Sequence, residues 1–222
     1  IRPRDWSSDV CSSDLATPYP YASLACSDMA QRYQSLRLAR YERSDMRIAV
    51  YCSSSTSIEQ RYVELAFDLG TALALNGVDL VWGGGQVSMM GAVAKAVRQG
   101  GRKTFGVIPE HLTNLELSDP ESDEMFIVDT MRNRKQKMDD LSDAFIVLPG
   151  GIGTLEELFE IWTAKYLGFH NKPIAICDPD GVFAPLRSSL DHLLDLGFTN
   201  LKQENLLAWC ADIPSTLKAL GL

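Results

Sequence analysis

Residues Leu148 to Leu158 read LPGGIGTLEEL, a glycine turn opening a helix, with Glu156 and Glu157 close behind. Glycine lets backbone approach a ligand closely, and N–H groups at a helix start converge on an oxyanion. A carboxylate about one turn further on, about 5.4 Å along the axis, would face whatever the anion is attached to. If that were a sugar, a negative charge there has a use. Cleavage of a glycosidic bond passes through an oxocarbenium-like state, which a carboxylate stabilises while also activating water. The pattern has an ordinary reading as well. Thr154-Leu155-Glu156-Glu157 matches the capping box, with Thr154 as N-cap and Glu157 reaching back, while Glu156 suits a helix-dipole charge.

Two other stretches end predicted strands in the same manner, YCSSSTS (51 to 57) and WGGGQVSMMG (82 to 91). Neither of the two glycine runs, WGGGQVSMMG and LPGGIGT, has the GK[ST] of a Walker A loop or the GxGxxG of a dinucleotide fingerprint. A nucleotide monophosphate fits them better than ATP or NAD. The competing reading is that both are tight strand-to-helix turns.

The dense cluster of positive charge is MRNRKQKM, residues 131 to 138. Met131, Met138 and Leu141 fall at i, i+7 and i+10, a core-facing stripe, and Arg134 at i+3 lies within it. Arg134 is therefore expected to point inward, with Lys135 flanking the same edge and Arg132 and Lys137 in solvent. A buried arginine cannot shed its proton and needs a partner. Asp139, Glu157 and a ligand phosphate are the alternatives.

These groups need a scaffold that gathers strand ends. Strands are predicted at 47–52, 78–83, 103–108, 125–129, 144–149, 173–177 and 206–210. Helices are predicted at 58–75, 88–99, 130–141, 154–167, 182–196 and 214–220. In the helix from 154, Leu155, Leu158, Phe159 and Trp162 form the expected core face. Strand-helix alternation predicts an α/β fold, a single-domain, Rossmann-like doubly wound parallel sheet, with ligands bound at the carboxyl ends of its strands. Trp82 and Trp162 are expected in the core.

The 222-residue chain is 45% hydrophobic and 23% charged, ordinary for one globular domain. A formal net charge of −8 and a pI near 4.9 argue against nucleic acid or an anionic membrane as partner. No apolar run reaches the length of a membrane span. Cys11, Cys26, Cys52, Cys177 and Cys210 form no CxxC pair, which suits a reducing cytoplasm. His111, His170 and His192 are isolated, so no metal site is expected. Residues 1 to 15, IRPRDWSSDVCSSDL, have neither helical nor strand period and resemble a translated sequencing adapter. Residues 1–46 are thus expected to be a non-native or disordered arm and 47–222 the domain. Finding residues 1 to 15 by mass spectrometry of protein from its native source would sink the adapter reading.

Together these residues resemble the Lonely Guy (LOG) family, the cytokinin riboside 5′-monophosphate phosphoribohydrolases, over roughly Arg47 to Pro214. The motif PGGxGTxxE stands as Pro149, Gly150, Gly151, Gly153, Thr154 and Glu157, and MxxRK as Met131, Arg134 and Lys135. YCSSS, WGGGQVSMMGAVAKAV and GVIPEHL are similar to the family's first three strand-end loops. The resemblance implies a Rossmann-like homodimer that splits a cytokinin nucleotide into free base and ribose 5-phosphate without metal or redox cofactor. It places the catalytic pair on Arg134 and Glu157. Ligand contacts fall on Glu116, Arg134, Lys135, Gly150, Gly151, Ile152, Gly153, Thr154, Leu155, Glu156, Glu157 and Thr163. The first loop departs from the pattern with Ser53 where many relatives have glycine, and the second with VSMMG where VGLMG is common. Relatives have been labelled lysine decarboxylases, yet nothing in the sequence suggests a pyridoxal-binding lysine. A broader nucleosidase acting on AMP and a non-catalytic molybdenum-cofactor carrier are the rival readings.

Overall fold

The computed structural model describes residues 46–113, 118–200 and 205–222. Of the expected arm only Met46 is described, partly buried against the core; its residues 1–45, and Glu116, lie outside the described residues. Seven strands form one sheet: β1 (Arg47–Tyr51), β2 (Asp79–Trp82), β3 (Thr104–Pro109), β4 (Glu124–Val128), β5 (Ala144–Val147), β6 (Ile174–Cys177) and β7 (Ala208–Cys210). Six α-helices occur among the described residues: α1 (Gln60–Leu75), α2 (Ser88–Gln99), α3 (Met131–Leu141), α4 (Ile152–Leu167), α5 (Ala184–Asp195) and α6 (Ile213–Ala219). The chain is α/β and Rossmann-like, as expected.

The sheet order is β4-β3-β2-β1-β5-β6-β7 and every pairing is parallel. Strand residues alternate between faces, and the core divides accordingly. Ile48 and Val50 pack with α1, α2 and α6, whereas Ala49 and Tyr51 pack with α3, α4 and α5. Gly70 lets α1 lie directly on α2, since a Cβ there would meet the Val93 carbonyl oxygen at 2.5 Å. Trp82 is fully buried, donating its indole N–H to the Gly85 carbonyl at 3.1 Å.

From β1 the chain winds outward through β2, β3 and β4, then returns to place β5 on the other side of β1. The loops leaving β1 and β5 consequently diverge. Such a reversal point is where a crevice opens above a parallel sheet.

Two expectations are corrected along α4. The helix begins at Ile152, two residues before the expected start, with Gly151 as N-cap in extended conformation. Thr154 thus lies inside the first turn and is not the N-cap that the capping box requires. The reason is packing: the Thr154 side chain folds back over Gly150, and is only 4% exposed. The core face is also turned. Leu158, Ile161 and Trp162 are buried with Leu155 half-buried, while Phe159 is 37% exposed. On α3, Met138 is buried but Met131, in the first turn, is partly exposed at the rim of the crevice.

Candidate active site

A cavity of about 370 Å³ occupies the reversal point. Ser53, Ser54 and Ser55 beyond β1, Gly83 beyond β2, Arg134 and Met138 of α3, and Gly151 to Thr154 with Glu156 and Glu157 of α4 line it. Its size falls in the range that holds small ligands.

Thr130 starts α3 by accepting the Asn133 N–H on its hydroxyl at 3.1 Å. The helix then turns Arg134 inward, where it is 7% exposed. Its Nε donates to the Val107 carbonyl at 3.1 Å and its Nη2 to the Gly83 carbonyl at 3.3 Å. The inward placement agrees with the sequence reading. Two backbone carbonyls that sequence reasoning did not name fix the direction of the guanidinium. Carbonyls fix its direction without supplying a counter-charge of their own.

At the opposite wall α4 points its start into the cavity. The N-cap, Gly151, has no side chain with which to cap the helix, and the N–H groups of a helix's first turn have no intrahelical acceptor. The result is a concave, partly positive backbone site suited to an anion. Gly150 is needed for it, because a Cβ there would lie 2.1 Å from the Thr154 hydroxyl.

Glu157 is half-buried one turn into α4 and lines this cavity together with a second one of about 520 Å³. Tyr51 lines both as well. Burial pushes the Tyr51 hydroxyl and the Cys52 thiol well above their ordinary pKa values, and the Glu157 charge adds to both effects. The cavity thus holds a fixed cation, Arg134, and a carboxylate, Glu157, beside the glycine turn that starts α4.

Of the remaining site residues, Lys135 does not line the cavity. It turns toward α4 and forms ion pairs with Glu156 and Glu160. Burial presses its ammonium toward lower pKa, but the hydrogen bonds and charges of those carboxylates outweigh this and hold it above the ordinary value. Glu156 is accordingly a partner of α3 and not merely a dipole charge. Leu155 packs against the core, and Thr163 is exposed further along α4, away from the cavity. Sequence reasoning missed Gly83, whose need is set by a side chain 51 positions away.

Comparison with known proteins supplies the context. The family model described as "Possible lysine decarboxylase" matches residues 90–220. A cytokinin riboside 5′-monophosphate phosphoribohydrolase of Mycobacterium tuberculosis is 50% identical over 175 residues, covering 79% of this chain and 93% of that protein. The Arabidopsis thaliana phosphoribohydrolase LOG4 is 45% identical over 159 residues, covering 71% and 74%. Among solved structures, the molybdenum cofactor binding protein of Rippkaea orientalis superposes with a TM-score of 0.62 at 19% identity, covering 81% of this chain and 97% of that one. At that identity the likeness concerns the fold alone. The sequence relatives go further, and by them the chain belongs to the family of the cytokinin riboside 5′-monophosphate phosphoribohydrolases.

Proposed function

We propose that this protein hydrolyses the N-glycosidic bond of cytokinin riboside 5′-monophosphates, releasing the free cytokinin base and ribose 5-phosphate. The observation that carries the reading is the placement of buried Arg134 and half-buried Glu157 in one cavity beside the uncapped start of α4. Relatives up to 50% identical that bear this activity in their names support it.

In this mechanism the backbone from Gly150 to Thr154 receives the 5′-phosphate, with Gly151, Ile152 and Gly153 at the helix start. Glu157 then faces the ribose. It stabilises positive charge developing at C1′ and draws a proton from the attacking water, whose oxygen bonds to C1′. The glycosidic electron pair leaves on the base nitrogen, which takes up a proton. Arg134, fixed by its two carbonyls, orients the sugar and the carboxylate. Lys135 and Glu156 brace α3 against α4 and balance charge around Glu157. Leu155 backs the turn from the core side. Glu116 and Thr163 enter the proposal as ligand contacts through the family resemblance alone.

A lysine serving as a Schiff base must readily lose its proton. Lys135, on the helix that carries Arg134, is held protonated by two carboxylates, which favours hydrolysis over decarboxylation. The protein is further proposed to act in the cytoplasm as a homodimer. Ile152, 89% exposed, and Met131, 38% exposed, both line the cavity and leave apolar surface at its rim. No described helix is long and apolar enough to cross a membrane.

Incubation with isopentenyladenosine 5′-monophosphate, AMP and the unphosphorylated riboside tests the reading. Free base from the first alone is expected. Equal release from AMP would favour the broader nucleosidase, and release from none would leave a binding protein.

A further inference from the structure

The loop after β1 and the start of α2 are fastened together at a strained residue. Ser88 is the one non-glycine among the described residues with positive φ, at 53°, a region that L side chains avoid. Its cause lies three residues on. A Cβ at Gly91 would stand 1.9 Å from the Gln86 carbonyl oxygen, so the chain doubles back tightly onto the first turn of α2. Ser88 absorbs that reversal.

Strain of this kind persists where something else holds it. Here the Ser88 hydroxyl donates to the Ser55 carbonyl at 2.6 Å, across 33 positions. The receiving loop is braced internally: the Ser53 hydroxyl accepts the Ser55 N–H at 3.1 Å, and the Ser55 hydroxyl accepts the Ser57 N–H at 3.2 Å. Ser53, Ser54 and Ser55 form a wall of the cavity, whereas Ser88 does not line it. A glycine at position 88 would remove the strain and also the only side-chain hold on Ser55 from α2 that is observed among the described residues.

We propose that Ser88 is a positioning residue that clasps the Ser53–Ser55 wall in its ligand-binding shape, acting through the Ser55 carbonyl and without touching the nucleotide. Its kinetic consequence rests on the hydrolase reading above. Its effect on the loop does not.

Ser88→Ala and Ser88→Gly variants of the full chain test this. Hydrogen exchange at the Ser55 and Ser57 amides is expected to quicken in both. KM for isopentenyladenosine 5′-monophosphate is expected to rise about fivefold to tenfold, the worth of one hydrogen bond, with kcat within about twofold. Ser88→Gly should melt above Ser88→Ala, because glycine accepts the positive φ. Unchanged exchange in both variants, or faster exchange with unchanged KM, overturns the proposal. Should the wild type release no base from any nucleotide, the hydrolase reading fails on its own. AMP binding by calorimetry then takes the place of KM: weaker binding with faster exchange supports the clasp, and unchanged binding, or none by the wild type, overturns it.

Discussion

A Cβ added to Gly83 would lie 1.9 Å from Nη2 of Arg134, whose same nitrogen donates to the Gly83 carbonyl at 3.3 Å. The catalytic arginine of the proposed reaction is thus seated against bare backbone. Gly83→Ala is expected to push the guanidinium out of line while leaving the sheet intact. Misplacement of a catalytic group by about 1 Å costs on the order of 100-fold, so kcat/KM should fall by about that factor. Steady-state kinetics beside an unchanged far-ultraviolet spectrum checks it. Full activity would mean that Arg134 has no fixed role.

Glu157 faces the opposite requirement, since its charge and not its volume is needed. Glu157→Gln keeps the shape and is expected to reduce base release by at least about 100-fold. AMP should still bind, because the phosphate is met by backbone of α4. Calorimetric titration alongside product chromatography separates the two effects; near-normal turnover in the variant would remove Glu157 from the chemistry.

Lys135 joins α3 to α4 through Glu156 and Glu160, and its folded-state pKa is raised. A group raised on folding stabilises below its unfolded pKa, about 10.4 for lysine, and the stabilisation is lost as pH climbs through the folded value. Both carboxylates are about half exposed, so the contribution is modest, about 0.5 kcal/mol. Lys135→Met should therefore melt slightly lower than the wild type at pH 7 to 9. The gap should close as pH climbs past the ordinary lysine range and through the raised folded value. A constant gap across that range would assign the effect to packing.

The sheet was legible because its strands are short apolar runs between amphipathic helices, and such periodicities are local. So was the inward turn of Arg134, which follows from its place between Met131 and Met138. Its partners were not, because Val107 and Gly83 arrive from 27 and 51 positions away. Thr154 misled for a different reason. Its contact is local, but the capping-box pattern does not reveal that the side chain folds back over Gly150 and leaves Gly151 as N-cap. The positive φ of Ser88 had its sign only in the resemblance, whose VGLMG pattern carries glycine where Ser88 stands, since serine itself does not announce a conformation that glycine usually takes.

Gly150 and Thr154 make the sharpest test of the anion-binding turn. A methyl on Gly150 would stand 2.1 Å from the Thr154 hydroxyl and 2.6 Å from its Cβ, and Thr154 is too buried to swing into solvent. The first turn of α4 must therefore shift, carrying its N–H groups away from the phosphate position. Gly150→Ala is expected to weaken AMP binding by about tenfold or more, the worth of one or two hydrogen bonds to a charged group. Glu157 rides on the same helix, so kcat should fall too. The unphosphorylated riboside supplies the control, because its binding never used the turn. If calorimetry finds AMP and riboside weakened equally, the turn does not hold the phosphate, and the 5′-phosphate must be placed elsewhere in the cavity.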